Sequence, residues 1–347
     1  MGQKKNKGLF DEEFRLDKIS KQRDPLERLA QHIDFEVFRN DLDTYFDRTG
    51  LRDESKGGRP PYDSILMFKI MVLQQYYNLS DESMEYALLD RLSFMRFLGL
   101  GLHDRVPDAR TIWHFRNELA QGNQVKKLFK KLNLILDRKK IIVHKGSMVD
   151  ATIVEVPVQR NSREENQQIK DGEIPDGWTE HRDKFAQKDT DARWVKHNNK
   201  KHYGYKNHVK ADEKSKLITN YEVTPANIHD SEKLIDLLDN KDKGQPLFAD
   251  SAYRSDEIEI ELTKRHIISR IHEKGYRNKP LSKSQVKRNR QKSKRRARVE
   301  HIFGFMTNSM NRIFIRSIGF VRSECLIGLK NITYNLFRLV QLGEKLT

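Results

Sequence analysis

Apolar residues recur at three- and four-residue spacing through the first 140 positions, the period of helices that bury one face. Leu26, Leu29, Ile33 and Phe38 trace one such stripe, and Ile65, Phe68, Met71, Val72 and Tyr76 trace another. Asp63 stands where an N-cap belongs, just after the turn Gly58-Arg59-Pro60-Pro61, and Ser80 is placed to cap a further helix through Met84, Leu88 and Leu89. In the segment 107–116, Asp108 can cap a helix whose buried stripe is Ile112, Phe115 and Leu119. Arg110, Thr111 and His114 then face outward near its start, as in the second helix of a helix-turn-helix, where such residues reach base edges. An ordinary core helix of an all-α domain would show the same stripe. A long helix, Val125 to Lys140, closes the region.

After Ile141 the pattern changes to β-branched runs. Met148 to Val156 reads as a buried strand with Asp150 in its middle, and Tyr203–Ala211 and Leu217–Thr224 read as a hairpin. A helix (Ser231 to Leu238), a short strand (Leu247 to Asp250), a helix (Asp256 to Lys264) and a strand (His266 to Ile271) follow. Antiparallel strands followed by alternating β and α units predict an α/β domain with a mixed sheet over 141–347, preceded by an all-α domain over 1–140. The polar tract 159–190 holds few apolar residues and predicts a loop insertion unable to order itself.

Composition turns this two-domain outline towards a polyanion. Of 347 residues, 36% are hydrophobic and 33% charged, enough apolar material for cores inside a very polar shell. Lys and Arg outnumber Asp and Glu by 66 to 50, a net charge of +16. The excess is local: Arg277 to Arg298 includes eleven Lys or Arg and no acid, Lys287, Arg288, Arg290, Lys292, Lys294, Arg295, Arg296 and Arg298 among them. A solvated tail can carry such a run, but this one leads into an amphipathic helix, so those residues are candidate contacts to double-stranded DNA. No apolar stretch approaches the ~20 residues of a membrane span, and the start, Met1 to Asn6, has no apolar signal region. A single cysteine, Cys325, excludes an internal disulfide and a cysteine-cluster metal site, which predicts a reducing, cytoplasmic setting.

Aspartates on strands require a reason, because the residue is depleted there and costly to bury unpaired. Asp150 lies within one strand and Asp250 at the C-terminal end of another, where open α/β sheets place their sites. Side by side they would repel unless a cation lay between them, and hard oxygen donors suit magnesium or manganese. Alone, either would pass for a strand-end cap. A third carboxylate follows the basic tract: Val299, Ile302, Phe303, Met306 and Met310 form an apolar stripe, and Ser293, Arg296, Glu300 and Thr307 share its flank. A surface ion pair with Arg296 is the plainer reading of Glu300. Together the three acids would make a two-ion site for phosphoryl transfer, without a protein nucleophile. No phosphate-binding glycine loop, Cys/His cluster or Gly-x-Ser-x-Gly elbow offers a rival chemistry.

Several ordered blocks resemble the DDE transposases of bacterial insertion sequences, most closely the family named after insertion sequence five. They are Gly58-Arg59-Pro60-Pro61-Tyr62, Tyr77-Asn78-Leu79-Ser80-Asp81, Val149-Asp150-Ala151-Thr152-Ile153, Thr224-Pro225-Ala226-Asn227-Ile228-His229-Asp230, Ala249-Asp250-Ser251-Ala252-Tyr253 and Ala297-Arg298-Val299-Glu300-His301. The resemblance implies an RNase H-like catalytic domain whose triad falls on Asp150, Asp250 and Glu300, spaced by 100 and 50 residues. It also implies two Mg or Mn ions, a helical N-terminal domain that reads terminal inverted repeats, a homodimer on paired ends that attacks target DNA, and a nucleoid-associated place in the bacterial cytoplasm. The related Tyr, Arg, Glu, Lys signature is half present: Arg296 and Glu300 match, Ser293 stands where some relatives have Tyr, and Thr307 stands where Lys is expected. Arg312, Lys294 or Arg295 lie near enough in sequence to substitute for that Lys. Two other functions share these residues: a domesticated DNA-binding protein, and an RNase H-like nuclease that cuts without strand transfer.

Overall fold

The computed structural model describes residue 8 and residues 10–49, 60–276 and 279–346. The first six residues, Gly58-Arg59 and Arg277 therefore lie outside the described residues. The chain divides into two compact units, one taking residues to Gln74, Leu79–Arg116 and the stretch from Leu336 onward, the other Gln75–Asn78 and Asn117–Asn335.

The first unit is helical: α1 (Asp11–Lys21), α2 (Pro25–His32), α3 (Arg39–Arg48), α4 (Ser64–Tyr77), α5 (Asp81–Asp90), α6 (Leu92–Leu98) and α7 (Ala109–Gln121). Its starts are fixed by side chains that satisfy orphan backbone donors. Asp63 accepts from Ile65 N at 2.9 Å, Ser80 from Ser83 N at 3.1 Å and Asp108 from Thr111 N at 2.6 Å. Leu26, Leu29, Phe38, Phe68 and Phe94 are fully buried in its core, with Phe35 edge-on to Phe68 and Phe97. Arg96 pins α6 to the opening helices, donating to Ser20 at 2.8 Å and Asp24 at 2.7 Å.

The second unit holds α8 (Gln124–Arg138), β1 (Ser147–Glu155), α9 (Arg163–Lys170), α10 (Arg182–Ala186), β2 (Arg193–His197), β3 (Lys200–Asp212), β4 (Ile218–Pro225), α11 (Leu234–Leu237), β5 (Pro246–Phe248), α12 (Asp256–Lys264), β6 (Ile268–Ser269), α13 (Lys283–Arg296), α14 (Glu300–Asn308) and α15 (Phe320–Leu342). The strands form one mixed sheet in the order β2-β3-β1-β5-β6, with β4 also on β3. β1 runs antiparallel to β3 and parallel to β5, so an antiparallel β1-β3-β4 half adjoins a parallel β1-β5-β6 half. This is an RNase H-like sheet with β1 at its centre. At Gly204 (φ 149°) the β3 backbone passes so close to β1 that a Cβ would lie 2.1 Å from Val154 O, so only glycine fits. α15 is held across the sheet by buried amides: Asn335 accepts from Ile218 N at 2.9 Å and donates back to Ile218 O at 2.8 Å, and Asn207 donates to Asn331 at 2.8 Å.

Three features differ from the sequence pattern. The helix Gln124–Arg138, grouped above with the N-terminal helices, belongs to the second unit, and the division falls inside α4, α7 and α15. The polar tract 159–190 orders itself around one aromatic side chain: Trp178 is fully buried and donates to Glu165 at 2.7 Å, and Glu165 also completes a capping box with Ser162 at the start of α9. Finally, the basic tract and the Glu300 helix are separate helices, parted by a turn over 297–299 in which Arg296 O accepts from Val299 N at 2.9 Å.

Candidate active site

The register of β1 against β5 pairs Ser147 with Leu247 and Met148 with Phe248. Asp150 and Asp250 each follow the last of these pairs by two residues, and the charge of Asp250 acts on Asp150. Asp250 leaves β5 into a short 3-10 turn and accepts from Ala252 N at 2.8 Å. Beneath the two aspartates lies the apolar cluster of Val149, Leu247, Ala249, Tyr253 and Leu262. Burial raises the Asp150 carboxyl to about 6, and the nearby charges of Asp250 and Asp230 push the same way; the Ala151 N–H at 2.9 Å and Arg296 pull against them. Tyr253 is buried with its hydroxyl unpartnered, and burial, reinforced by Asp150, Asp230 and Asp250, pushes it well above the usual phenol range. It keeps its proton.

Glu300 opens α14, four residues after Arg296. Arg296 Nη2 donates to Glu300 Oε1 at 2.8 Å and Nη1 to Asp150 Oδ2 at 3.1 Å, while its Nε is buried without a partner. The guanidinium therefore spans two of the three carboxylates, and the Glu300 side chain, 59% exposed, is turned to it. Among the described residues no group of three His, Cys, Asp or Glu is arranged, as it stands, to hold a metal ion. Of the predicted stripe, Val299, Ile302, Met306 and Met310 are fully enclosed, while Phe303 is only half-buried. Ser293 donates to Asn289 O at 2.9 Å and lies 3.3 Å from His272, whereas Thr307 is exposed.

Of the other groups beside the aspartates, His208 and Tyr253 were not singled out from sequence, whereas Asp230 is an acid of the same domain that could be mistaken for a ligand. Asp230 acts electrostatically on Asp150 and pairs with Lys206 at 2.7 Å. His208 hydrogen-bonds Thr224 at 2.8 Å, and burial lowers it to about 4. Both Asp230 and Tyr253 end sequence blocks quoted above, which was the signal available.

The basic residues divide. Arg288 donates to Glu273 at 2.8 and 3.0 Å, and Lys292 to Ile271 O at 2.8 Å. Arg295 and Arg298 converge on buried Glu213 at 2.8 and 2.9 Å. Lys287, Arg290 and Lys294 are exposed. On α7, Arg110 and His114 are exposed and Thr111 is half-buried.

A family model described as the transposase DDE domain matches residues 143–336, and one described as a transposase domain matches 14–118. The first spans more than half of the chain and takes in β1, β5 and α14. This chain belongs to the DDE transposases. The transposase is also similar to a chain of a piggyBac transposase synaptic complex with hairpin DNA, at 12% identity, covering 93% of this chain and 77% of that one with a TM-score of 0.43. It is an enzyme, DNA is its partner, and its family depends on divalent metal. Among the described residues of the transposase no helix is long and apolar enough to cross a membrane. The donor set suits a hard cation in its chemistry: Asp150 and Asp250 are carboxylate oxygen donors close enough for the charge of one to act on the other, and Asp150 already holds a cationic side chain.

Proposed function

We propose that this enzyme is a transposase of the insertion-sequence-five type, which binds the terminal inverted repeats of its element and carries out strand cleavage and strand transfer with Asp150, Asp250 and Glu300. The observation that carries the reading is that Asp150 and Asp250 each follow the paired Met148 and Phe248 by two residues, with the charge of Asp250 acting on Asp150. Asp150, Asp250 and Glu300 would hold two Mg or Mn ions. When bound, these supply Lewis-acid activation of the attacking oxygen and charge relief on the departing one.

The chain's own residues do the rest. Asp150 sits on β1 and Asp250 caps the turn just after β5, both next to core residues Val149 and Ala249, so their oxygens are preorganised. Glu300 sits after the 297–299 turn on α14 and is the adjustable member. Arg296, once released from the carboxylates, is placed to meet a phosphate with its planar fork. Tyr253, held protonated, can donate a hydrogen bond into the site. The N-terminal helices, with Arg110, Thr111 and His114 near the start of α7, would read the DNA ends, and a homodimer would pair them.

Incubating the protein with Mg²⁺ and duplexes carrying the element's ends, and resolving both nicked and joined products, tests this reading. Joined products support it. Nicks without joining would indicate a nuclease, and binding without either a DNA-binding protein that has lost its chemistry.

A further inference from the structure

The basic helix α13 has two cationic faces with different employment. At about 100° per residue, Arg288, Asn289, Lys292, Arg295 and Arg296 share the inward side. Each is held: Arg288 by Glu273, Asn289 by Glu273 O at 2.9 Å, Lys292 by Ile271 O, Arg295 by Glu213, and Arg296 by Asp150 and Glu300. Lys283, Lys287, Arg290 and Lys294 follow a 4-3-4 spacing, which confines them to about 60° of arc on the opposite side. All four are exposed, none forms an ion pair among the described residues, and α13 carries no acidic residue.

We propose that Lys283, Lys287, Arg290 and Lys294 form a phosphate-tracking stripe for one DNA strand, while the inward cations hold the helix in place. The inference rests on the reading of this protein as a DNA-cleaving transposase and deepens it. Four like charges in a row on one helix repel one another and lower helix stability, so the row has a cost without a polyanion against it. Their axial spacing, about 5 to 6 Å per step over roughly 17 Å, is comparable with the separation of neighbouring phosphates on one strand. Three of the four are lysines, point charges on flexible stems that fix no base identity, so the contact is sequence-independent. The stripe ends near the candidate site: its last member, Lys294, is two residues before Arg296, which touches Asp150 from the other side of the helix.

The test is the salt dependence of binding to a duplex of arbitrary sequence, for the full chain and three variants. In the first, Lys283, Lys287, Arg290 and Lys294 are all changed to Gln; we expect the log-log slope to flatten by about 3.6, near 0.9 for each of the four lost phosphate contacts. In the second, Arg288→Gln with Lys292→Gln, the slope should change by less than about 1, although the melting temperature falls. In the third, Lys283→Arg, Lys287→Arg and Lys294→Arg together keep all four charges and should keep the wild-type slope, which separates charge from side-chain identity. Equal slopes for wild type and the four-Gln variant, or equal flattening by the inward pair, overturn the stripe while leaving the catalytic reading intact. A wild-type protein that binds no duplex overturns both.

Discussion

Arg296 reaches from the last turn of α13 to the middle of β1 and donates to Asp150 at 3.1 Å. Because its other terminal nitrogen holds Glu300, one guanidinium occupies two anionic groups proposed to share a divalent ion. Metal and arginine then compete for the same oxygens. Arg296→Gln should tighten Mn²⁺ binding in the absence of DNA by roughly tenfold, about 1.4 kcal/mol, read by electron paramagnetic resonance of free Mn²⁺. An unchanged or weaker affinity would show that the arginine supports the metal site rather than opposing it.

Trp178 organises the polar tract. Fully buried and bonded to Glu165, it is the largest apolar group between α9 and α10. Trp178→Ala should loosen this tract by about 3 to 5 kcal/mol, so trypsin should cut between 160 and 188 far faster in the variant than in wild type. Equal cleavage of the two would mean that the tract does not depend on this core.

Lys330 is buried on α15, its ammonium donating to the carbonyls of Gln75 and Met310 at 3.4 and 3.5 Å. Burial lowers it to about 8, with Arg316 adding to the effect. Since an unfolded lysine titrates near 10.4, the cost of the buried charge is fully present below pH 8 and is relieved as pH rises from 8 to 10.4. Lys330→Met should therefore stabilise the protein below pH 8, by roughly 1 to 3 kcal/mol, and the advantage should shrink towards pH 10. Denaturant unfolding of both proteins at pH 7 and pH 10 checks it; a variant less stable at pH 7 would mean that the two carbonyl contacts outweigh the charge burial.

The β1 strand was legible from its β-branched run, and Asp150 stood out within it because a carboxylate there conflicts with local propensity. The cap residues Asp63, Ser80 and Asp108 were legible for a similar reason, as short polar side chains just before apolar stripes. The turn at 297–299 was not: Ala297, Arg298 and Val299 include no glycine or proline, and the break is set by tertiary contacts, with Arg298 on Glu213 and Val299 in the core. Periodicity carried through that break still put Arg296 beside Glu300, because they are four residues apart on either reading. Trp178 was hidden by its polar neighbours, since composition averages over a tract while one indole can nucleate it. β2, Arg193 to His197, was missed because only Trp194 and Val195 of its five residues are apolar.

The central claim is that Asp150, Asp250 and Glu300 act together on DNA. It is tested most directly by Asp150→Asn, Asp250→Asn and Glu300→Gln, which keep shape while removing the charge that holds a hard cation. Asp212→Asn serves as a comparison outside the proposed site, its carboxylate being used by Ser215 N and Oγ at 2.8 Å. Each protein is assayed with Mg²⁺ for cleavage and joining of end DNA and, separately, for end binding. The account predicts that all three triad variants bind ends as wild type does and neither cut nor join, while Asp212→Asn retains activity wherever it folds. A folded Glu300→Gln protein that cleaves at near wild-type rate would contradict it.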